Sequence, residues 1–530
     1  MTERIYLYDT TLRDGGQTQG IDFAVADKVA IAAMLDQLGI DYVEGGWPGA
    51  NPTDDGFFAD PPALAHARLT AFGMTRRAGR SAANDPGLAA LFQSKVDAVT
   101  LVGKSSAAQV ALALAVPLDE NLRMIEDSIA EASRRVPEVM FDAEHFFDGY
   151  VADPGYALAC LEVARRGGAR WIILCDTNGG RLPQEIAAIV ERVATVIPPE
   201  ELGIHTHNDT ENAVANTLAA VRAGARQVQG TLNGLGERCG NANLVSLIPT
   251  LMLKMGYQTG VTDAGLRHLT DLSRALDERL NRIPDRHAAY VGACAFTHKA
   301  GLHASAVAKD PRAYEHVPPE TVGNRRHIAV SDQAGRANLL TRLGEIGLAA
   351  PGEAALRELL AAVKEREANG YAYEGAEASF ELLARRALGQ VPDHFRLISF
   401  RIIDERRYNA RNALVTLSEA TIKVEVGGTT RMIVAEGNGP VHALDTALRQ
   451  ALSPAYPALE HMHLADYKVR ILTPEAGAAA VTRVIIESAD ERGRRWSTVG
   501  VSTNVIDASY AALHDAITYK LFAEGAEAAR

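Results

Sequence analysis

Cysteine is scarce in this chain: Cys160, Cys175, Cys239 and Cys294 are the only thiols in 530 residues. They are too few and too scattered for a disulfide framework. None stands in a CxxC pair, which removes zinc knuckles and thioredoxin-type redox motifs. Positive charge is also short, with 54 Lys and Arg against 66 Asp and Glu and a net charge of −12. That balance argues against a general nucleic-acid binder, whose affinity rests on neutralising phosphates. No apolar run is long enough to cross a bilayer; the least charged stretches, 105–118 and 239–253, are too short and too polar. The N-terminus, MTERIYLYDTTLRDG, lacks the apolar core of a signal peptide. A reducing cytoplasm is therefore the expected compartment, with neither nucleic acid nor membrane as partner. Two further motifs are missing. No GxGxxG turn of a dinucleotide fold follows the first strand, and no AMKM-type biotinyl segment occurs.

What is present is ordinary globular material, 47% hydrophobic and 23% charged, enough for several cores. Eight short apolar or β-branched runs recur: IYLYD at 5–9, YVEGG at 42–46, RLTAF at 68–72, AVTLVG at 98–103, VMFDAEH at 139–145, WIILCDT at 171–177, LGIHTH at 202–207 and QVQGTLNG at 227–234. Between them lie stretches such as VADKVAIAAMLDQLGI and LPQEIAAIVERVATVI, with apolar residues at helical intervals. Strands alternating with helices in this number predict an α/β fold, an N-terminal (β/α)8 TIM barrel over residues 1–260. An open doubly wound sheet is the alternative. From 261 to 390 the texture is helical, a linker or subdomain. It opens on a leucine stripe at 266, 269, 272, 276 and 280 behind a Thr/Asp cap, and the loop THKAGLHASA interrupts it. Residues 391–530 are strand-rich, with two look-alike helices. VHALDTAL at 441–448 matches IDASYAAL at 506–513 at an offset of 65, which predicts an α+β domain built from duplicated strand–helix units.

The chemistry concentrates at strand ends. In IHTHND, residues i and i+2 of a strand share a face, so His205 and His207 point the same way. Two imidazoles at the C-terminal end of a barrel strand are ready metal ligands. In DTTLRDGGQ, after strand 1, Asp14 can complete a two-histidine, one-carboxylate site, because only strand 8 separates strands 1 and 7 in a closed barrel. Mg, Mn or Zn would suit such a donor set. Arg13 beside it offers a permanent planar cation for a carboxylate or a developing oxyanion. In GTLNGLGERCGN, after strand 8, glycines allow close backbone approach to a ligand; Asn241 adds an oxygen that could reach a metal, and Cys239 reads as structural. Glu144 follows strand 5, and Asp176, Thr177 and Asn178 follow strand 6, all on one rim.

These motifs, in this order, resemble the acyltransferase family of isopropylmalate, homocitrate and citramalate synthases, over essentially the whole chain. The stretches LYDTTLRDGGQTQGIDF, YVEGGWPGANPTD, AEHFFDGY and LCDTNGG look most like its citramalate branch. The resemblance implies a divalent metal on Asp14, His205, His207 and Asn241, and Arg13 on the keto acid and oxyanions. It further implies Glu144 near the thioester methyl, Thr177 on the substrate carboxylate, and His303 as a catalytic base serving the partner chain of a homodimer. It implies acetyl-CoA and a small 2-oxo acid, pyruvate for this branch, as substrates. A C-terminal regulatory domain would answer to isoleucine, or else leucine. A hydroxymethylglutaryl-CoA-type lyase shares the metal set but has no need of the C-terminal domain. A catalytically dead metabolite sensor would have no reason to keep every ligand position filled.

Overall fold

A computed structural model describes residues 3–298, 301–328, 336–408 and 410–529. It divides into two compact units. The first runs to Phe296 and takes back Val317–Arg326; the second comprises Thr297–His316 and the chain from His327 onward.

The first unit is built on strands β1 (Tyr6–Asp9), β2 (Tyr42–Gly46), β3 (Arg68–Met74), β4 (Ala98–Lys104), β5 (Glu138–Glu144), β6 (Trp171–Asp176), β7 (Leu202–Thr206) and β8 (Gln227–Gly230). They close in sequence order into a parallel barrel, with β1 paired to both β2 and β8, so the open-sheet alternative falls away. Both faces of each strand are buried, which is why the sequence reads as apolar runs rather than strict alternation. In β6, Trp171, Ile173 and Cys175 fill the interior with Tyr8, Tyr42, Ala98 and Met140, whereas Ile172 and Leu174 belong to the larger core outside the barrel wall. The helices Val25–Leu38 and Pro183–Val193 form where the apolar spacing places them. The leucine stripe is different. A single helix is expected, but the chain makes Asp263–Leu266 and Leu269–Arg279, with a break at Arg267 and His268. Thr262 caps the first piece by accepting from the Gly265 amide, and a glycine in so short a helix leaves it little reason to propagate. Leu266, Leu269, Leu272 and Leu276 are nonetheless all buried.

In the second unit, THKAGLHASA is not a loop throughout: Gly301–Lys309 is helical, and residues 299–300 lie outside the described residues. A two-residue parallel pair, β9 (Thr297–His298) and β10 (His327–Ile328), flanks that helix in sequence. The helices Arg336–Glu345, Glu353–Ala368 and Glu377–Ala387 follow. Beyond them come two antiparallel meanders, β11 (Arg396–Tyr408), β12 (Leu414–Val426) and β13 (Thr429–Gly437), then β14 (Met462–Ile471), β15 (Thr482–Asp490) and β16 (Arg495–Ser502). Each is followed by a helix, Pro440–Leu452 and Val505–Ala523. The repeat is thus three strands and a helix, larger than the strand–helix pair read from the sequence. The offset of 65 holds in packing: Ala443, Ala447 and Leu448 are buried in one core with Ala508, Ala512 and Leu513. Among the described residues no helix is long and apolar enough to cross a membrane.

Candidate active site

At the end of β1 the Asp9 carboxylate accepts from the Thr11 amide and hydroxyl, each at 2.8 Å. This tight turn brings Arg13 and Asp14 onto the C-terminal rim of the barrel. On β7 and just beyond it, His205 and His207 share a face as the strand period requires. The Nε2 atoms of the two rings are 3.4 Å apart, and His205 Nε2 is 3.5 Å from Asp14 Oδ2. All three residues are buried, and each offers a ligand atom within 4.8 Å of the others.

The donor set suits a divalent cation on three grounds. Edges of 3.4–3.5 Å are about what ligands some 2.1 Å from a common ion subtend. Asp14 Oδ1 and Asn241 Oδ1 are buried oxygens without a hydrogen-bond partner, an expense that a cation would remove. The protonation states are also right, since metal ligands must shed their protons. Burial pushes the His207 imidazole down to about 4, helped by His205 beside it; burial likewise lowers His205. Burial alone would raise Asp14, but Arg13 and the two histidines outweigh it and hold the carboxyl at about 2. Asn241 is delivered by a backbone bridge to His207, and its amide donates to the Leu235 carbonyl at 3.1 Å. The glycines of this loop serve that delivery, because the loop folds on itself. A Cβ on Gly236 (φ +148°) would fall on the Asn241 amide, and one on Gly240 (φ +91°) on the Gly234 carbonyl. Cys239, expected to be structural, is instead an exposed thiol.

Arg13 is fixed from three sides. Its Nε donates to Glu44 at 2.6 Å, its guanidinium lies 4.0 Å over the Phe72 ring, and Nη1 is 3.6 Å from Asp14. Burial disfavours the charge, but Glu44 and Asp14 together raise its pKa, so it stays cationic. Glu44 in turn accepts from the Tyr8 hydroxyl at 2.8 Å inside the barrel. On the opposite wall Lys104 pairs with Glu144 at 2.5 Å, its register partner across β4 and β5. The Thr177 hydroxyl accepts from the His145 amide at 2.8 Å. Arg13, Asp14, Lys104, Glu144, Thr177, His205 and His207 line one cavity of about 330 Å³ with Trp47, Asp142 and Arg238. The structure thus gathers Arg13, Asp14, Glu144, Thr177, His205 and His207 at a single rim, with Asn241 beside them. His303 lies in the second unit, exposed on its helix, with its ring stacked on Tyr314 at 4.2 Å.

Four residues escaped the sequence reading: Glu44, Lys104, Asp142 and Gln229. Glu44, Asp142 and Gln229 are polar side chains within strand runs and Lys104 directly follows one, and a polar residue there is the signal that could have found them. Asp142 is held far above the usual carboxylate range. Burial and the Glu44 carboxylate push it up to about 8, against Arg13 and an amide bond from Gln229.

A closed parallel barrel with a buried carboxylate–dihistidine site and a clamped arginine defines a class, and residues 4–274 match the HMGL-like family model. Residues 290–370 match a homocitrate synthase post-HMGL domain-like model, and 374–521 the LeuA allosteric (dimerisation) domain. The (R)-citramalate synthase of Aquifex aeolicus is 49% identical over 99% of this chain and 99% of its own length. That of Geobacter sulfurreducens is 51% identical over 98% and 97%. A probable 2-isopropylmalate synthase of Methanopyrus kandleri is 31% identical over 96% and 97%. The chain belongs to the (R)-citramalate synthase family.

Proposed function

We propose that this chain condenses acetyl-CoA with pyruvate to give (R)-citramalate and free CoA, an acyl transfer in which the acyl group becomes alkyl. The observation that carries the reading is the rim itself: a donor set fit for a divalent metal, a clamped cation and a polar opposite wall in one cavity. Full-length identity of 41–51% to five (R)-citramalate synthases supports the choice of substrates. A metal held by Asp14, His205, His207 and Asn241 would polarise the ketone of the 2-oxo acid. Thr177 keeps its hydroxyl proton free to donate to the substrate carboxylate. A base removes a proton from the acetyl methyl group, and the new carbanion forms a C–C bond to the keto carbon as the carbonyl π pair moves onto oxygen. Arg13 faces that oxygen with a charge that cannot be neutralised. The protonated base returns its proton to that oxygen; water then adds to the thioester carbon, its hydroxyl stays there as the acid, and CoA leaves with water's other proton. Glu144, clamped by Lys104, is placed near the methyl group, and His303 of a partner chain is the base.

The wider organisation follows the same reading: residues 1–260 catalyse, 261–390 link and 391–530 dimerise and sense an end product in the cytoplasm. Isoleucine is the effector we assign, with leucine as the alternative. Its carboxylate would suit the start of Pro440–Leu452, which no side chain caps. The corresponding start at Val505 is already taken by Asn504, which accepts from the Ile506 amide. One assay tests the whole: CoA release across pyruvate, 2-oxoisovalerate and 2-oxoglutarate, with and without chelator and isoleucine. Pyruvate should give the highest kcat/KM, chelation should abolish the signal, and isoleucine should depress it. A higher kcat/KM for 2-oxoisovalerate would overturn the substrate assignment, and activity surviving exhaustive metal removal would overturn the metal.

A further inference from the structure

Beneath the rim, a polar chain crosses the barrel interior. His205 Nδ1 lies 2.9 Å from Gln229 Oε1, and Gln229 Nε2 donates to Asp142 Oδ1 at 3.2 Å. Gln229 is fully buried on β8, and Asp142 is 4% exposed on β5, so water does not reach Gln229 to supply a substitute. We propose that Asp142, acting through Gln229, is a positioning residue that holds His205 in the one tautomer able to bind a metal through Nε2.

The argument is one of donor and acceptor inventory. An ionised Asp142 has no proton to offer, so Gln229 must meet it with a donor, and the amide has donors only on its nitrogen. With Nε2 committed to Asp142, Oε1 is left facing the imidazole and can only accept. His205 must then carry its proton on Nδ1, which leaves the Nε2 lone pair aimed at Asp14 and His207. Turn the amide over and the logic inverts: the NH2 group faces Nδ1, the proton moves to Nε2, and the ligand atom is blocked. Asp142 prevents that inversion. The ionised acid enforces this orientation, and the neutral acid keeps it only with its proton on Oδ2, so that Oδ1 still accepts from Gln229. Hydrogen-bond partners behind metal-bound histidines commonly contribute 10–100-fold in affinity.

This inference rests on the metal reading of the same site, and its test separates the two. Cobalt(II) binding to the full chain is measured by equilibrium dialysis and by the visible absorption of the bound ion, with a thermal melt to show that each variant folds. Gln229→Met, similar in shape but unable to accept strongly, should weaken binding about 10–100-fold. Asp142→Val should do the same, because it frees the amide to rotate. Asp142→Asn, which can still present an oxygen to Gln229, should stay within about threefold of the parent. If the apolar variants do not fold, Gln229→Glu decides: its carboxylate keeps the acceptor against Nδ1 and should bind cobalt at least as tightly as the parent. A tenfold loss in that variant overturns the relay, as does parent-like binding by folded Gln229→Met and Asp142→Val. No binding of cobalt by the parent overturns the metal reading itself.

Discussion

His207 has a calculable pH signature. Its imidazole sits near 4 instead of its ordinary 6.5 because burial and His205 both disfavour the cation. Cobalt affinity should therefore change little between pH 7.5 and pH 5 and fall only as the pH approaches 4. A steep loss already at pH 6.5 in the dialysis experiment would refute this placement. Stability of the metal-free protein carries the same signature with a fixed sign. Between about pH 4 and 6.5 the unfolded chain binds a proton at this position that the folded chain refuses, so stability falls as pH drops through that window. The loss from His207 amounts to about 3 kcal/mol, and a urea titration series should show a loss larger by about that amount in the metal-free protein than in His207→Ala, where the buried His205 still contributes.

Elements explain both what the sequence disclosed and what it concealed. The barrel was legible because parallel strands buried on two faces make apolar runs that recur with helices between them. His205 and His207 were legible because a strand's period of two places them together without any tertiary knowledge. Glu44, Asp142 and Gln229 were not, because each acquires its meaning from a partner on another strand: Gln229 and Asp142 are 87 residues apart in the chain. The break after Leu266 was hidden for the opposite reason, since the leucine spacing is the same on one helix or two. The Gly-rich loop was read as an approach to a ligand, whereas its glycines mainly let the loop cross itself and present Asn241. That assignment predicts the outcome of Gly240→Ala. With φ at +91° and the Gly234 carbonyl in the way, the substitution should cost about 1–3 kcal/mol. It should also weaken cobalt binding, because Asn241 moves with the loop. Denaturant melts and dialysis on that one variant check both. A variant as stable as the parent would show that the loop has slack.

At the scale of the whole molecule, the base assigned to a partner chain can be tested by mixing. Asp14→Asn and His303→Ala chains should each be inactive alone. After exchange, half the dimers in an equal mixture are hybrids, and each has one site with both natural residues. Activity should recover to about a quarter of the parent's. No recovery, with exchange demonstrated by mass, would place the base within the same chain. A different consequence follows from where the metal donors originate. Asp14 leaves β1, His205 and His207 leave the region of β7, and β8 lies between, so the donors straddle the seam at which the first and last strands of the barrel meet. A bound ion is then a clasp on that seam. Its binding free energy opposes opening there first, by RT ln(1 + [M]/Kd), and strands on the far side feel it only through whole-barrel unfolding. Amide exchange should slow on metal addition in β1, β7 and β8 while β3 to β5 change little. Uniform slowing around the barrel would mean that the eight strands open only together. Until the ribosome has delivered Asn241 the clasp lacks one of its jaws, so a nascent chain that stops short of it offers only part of the donor set.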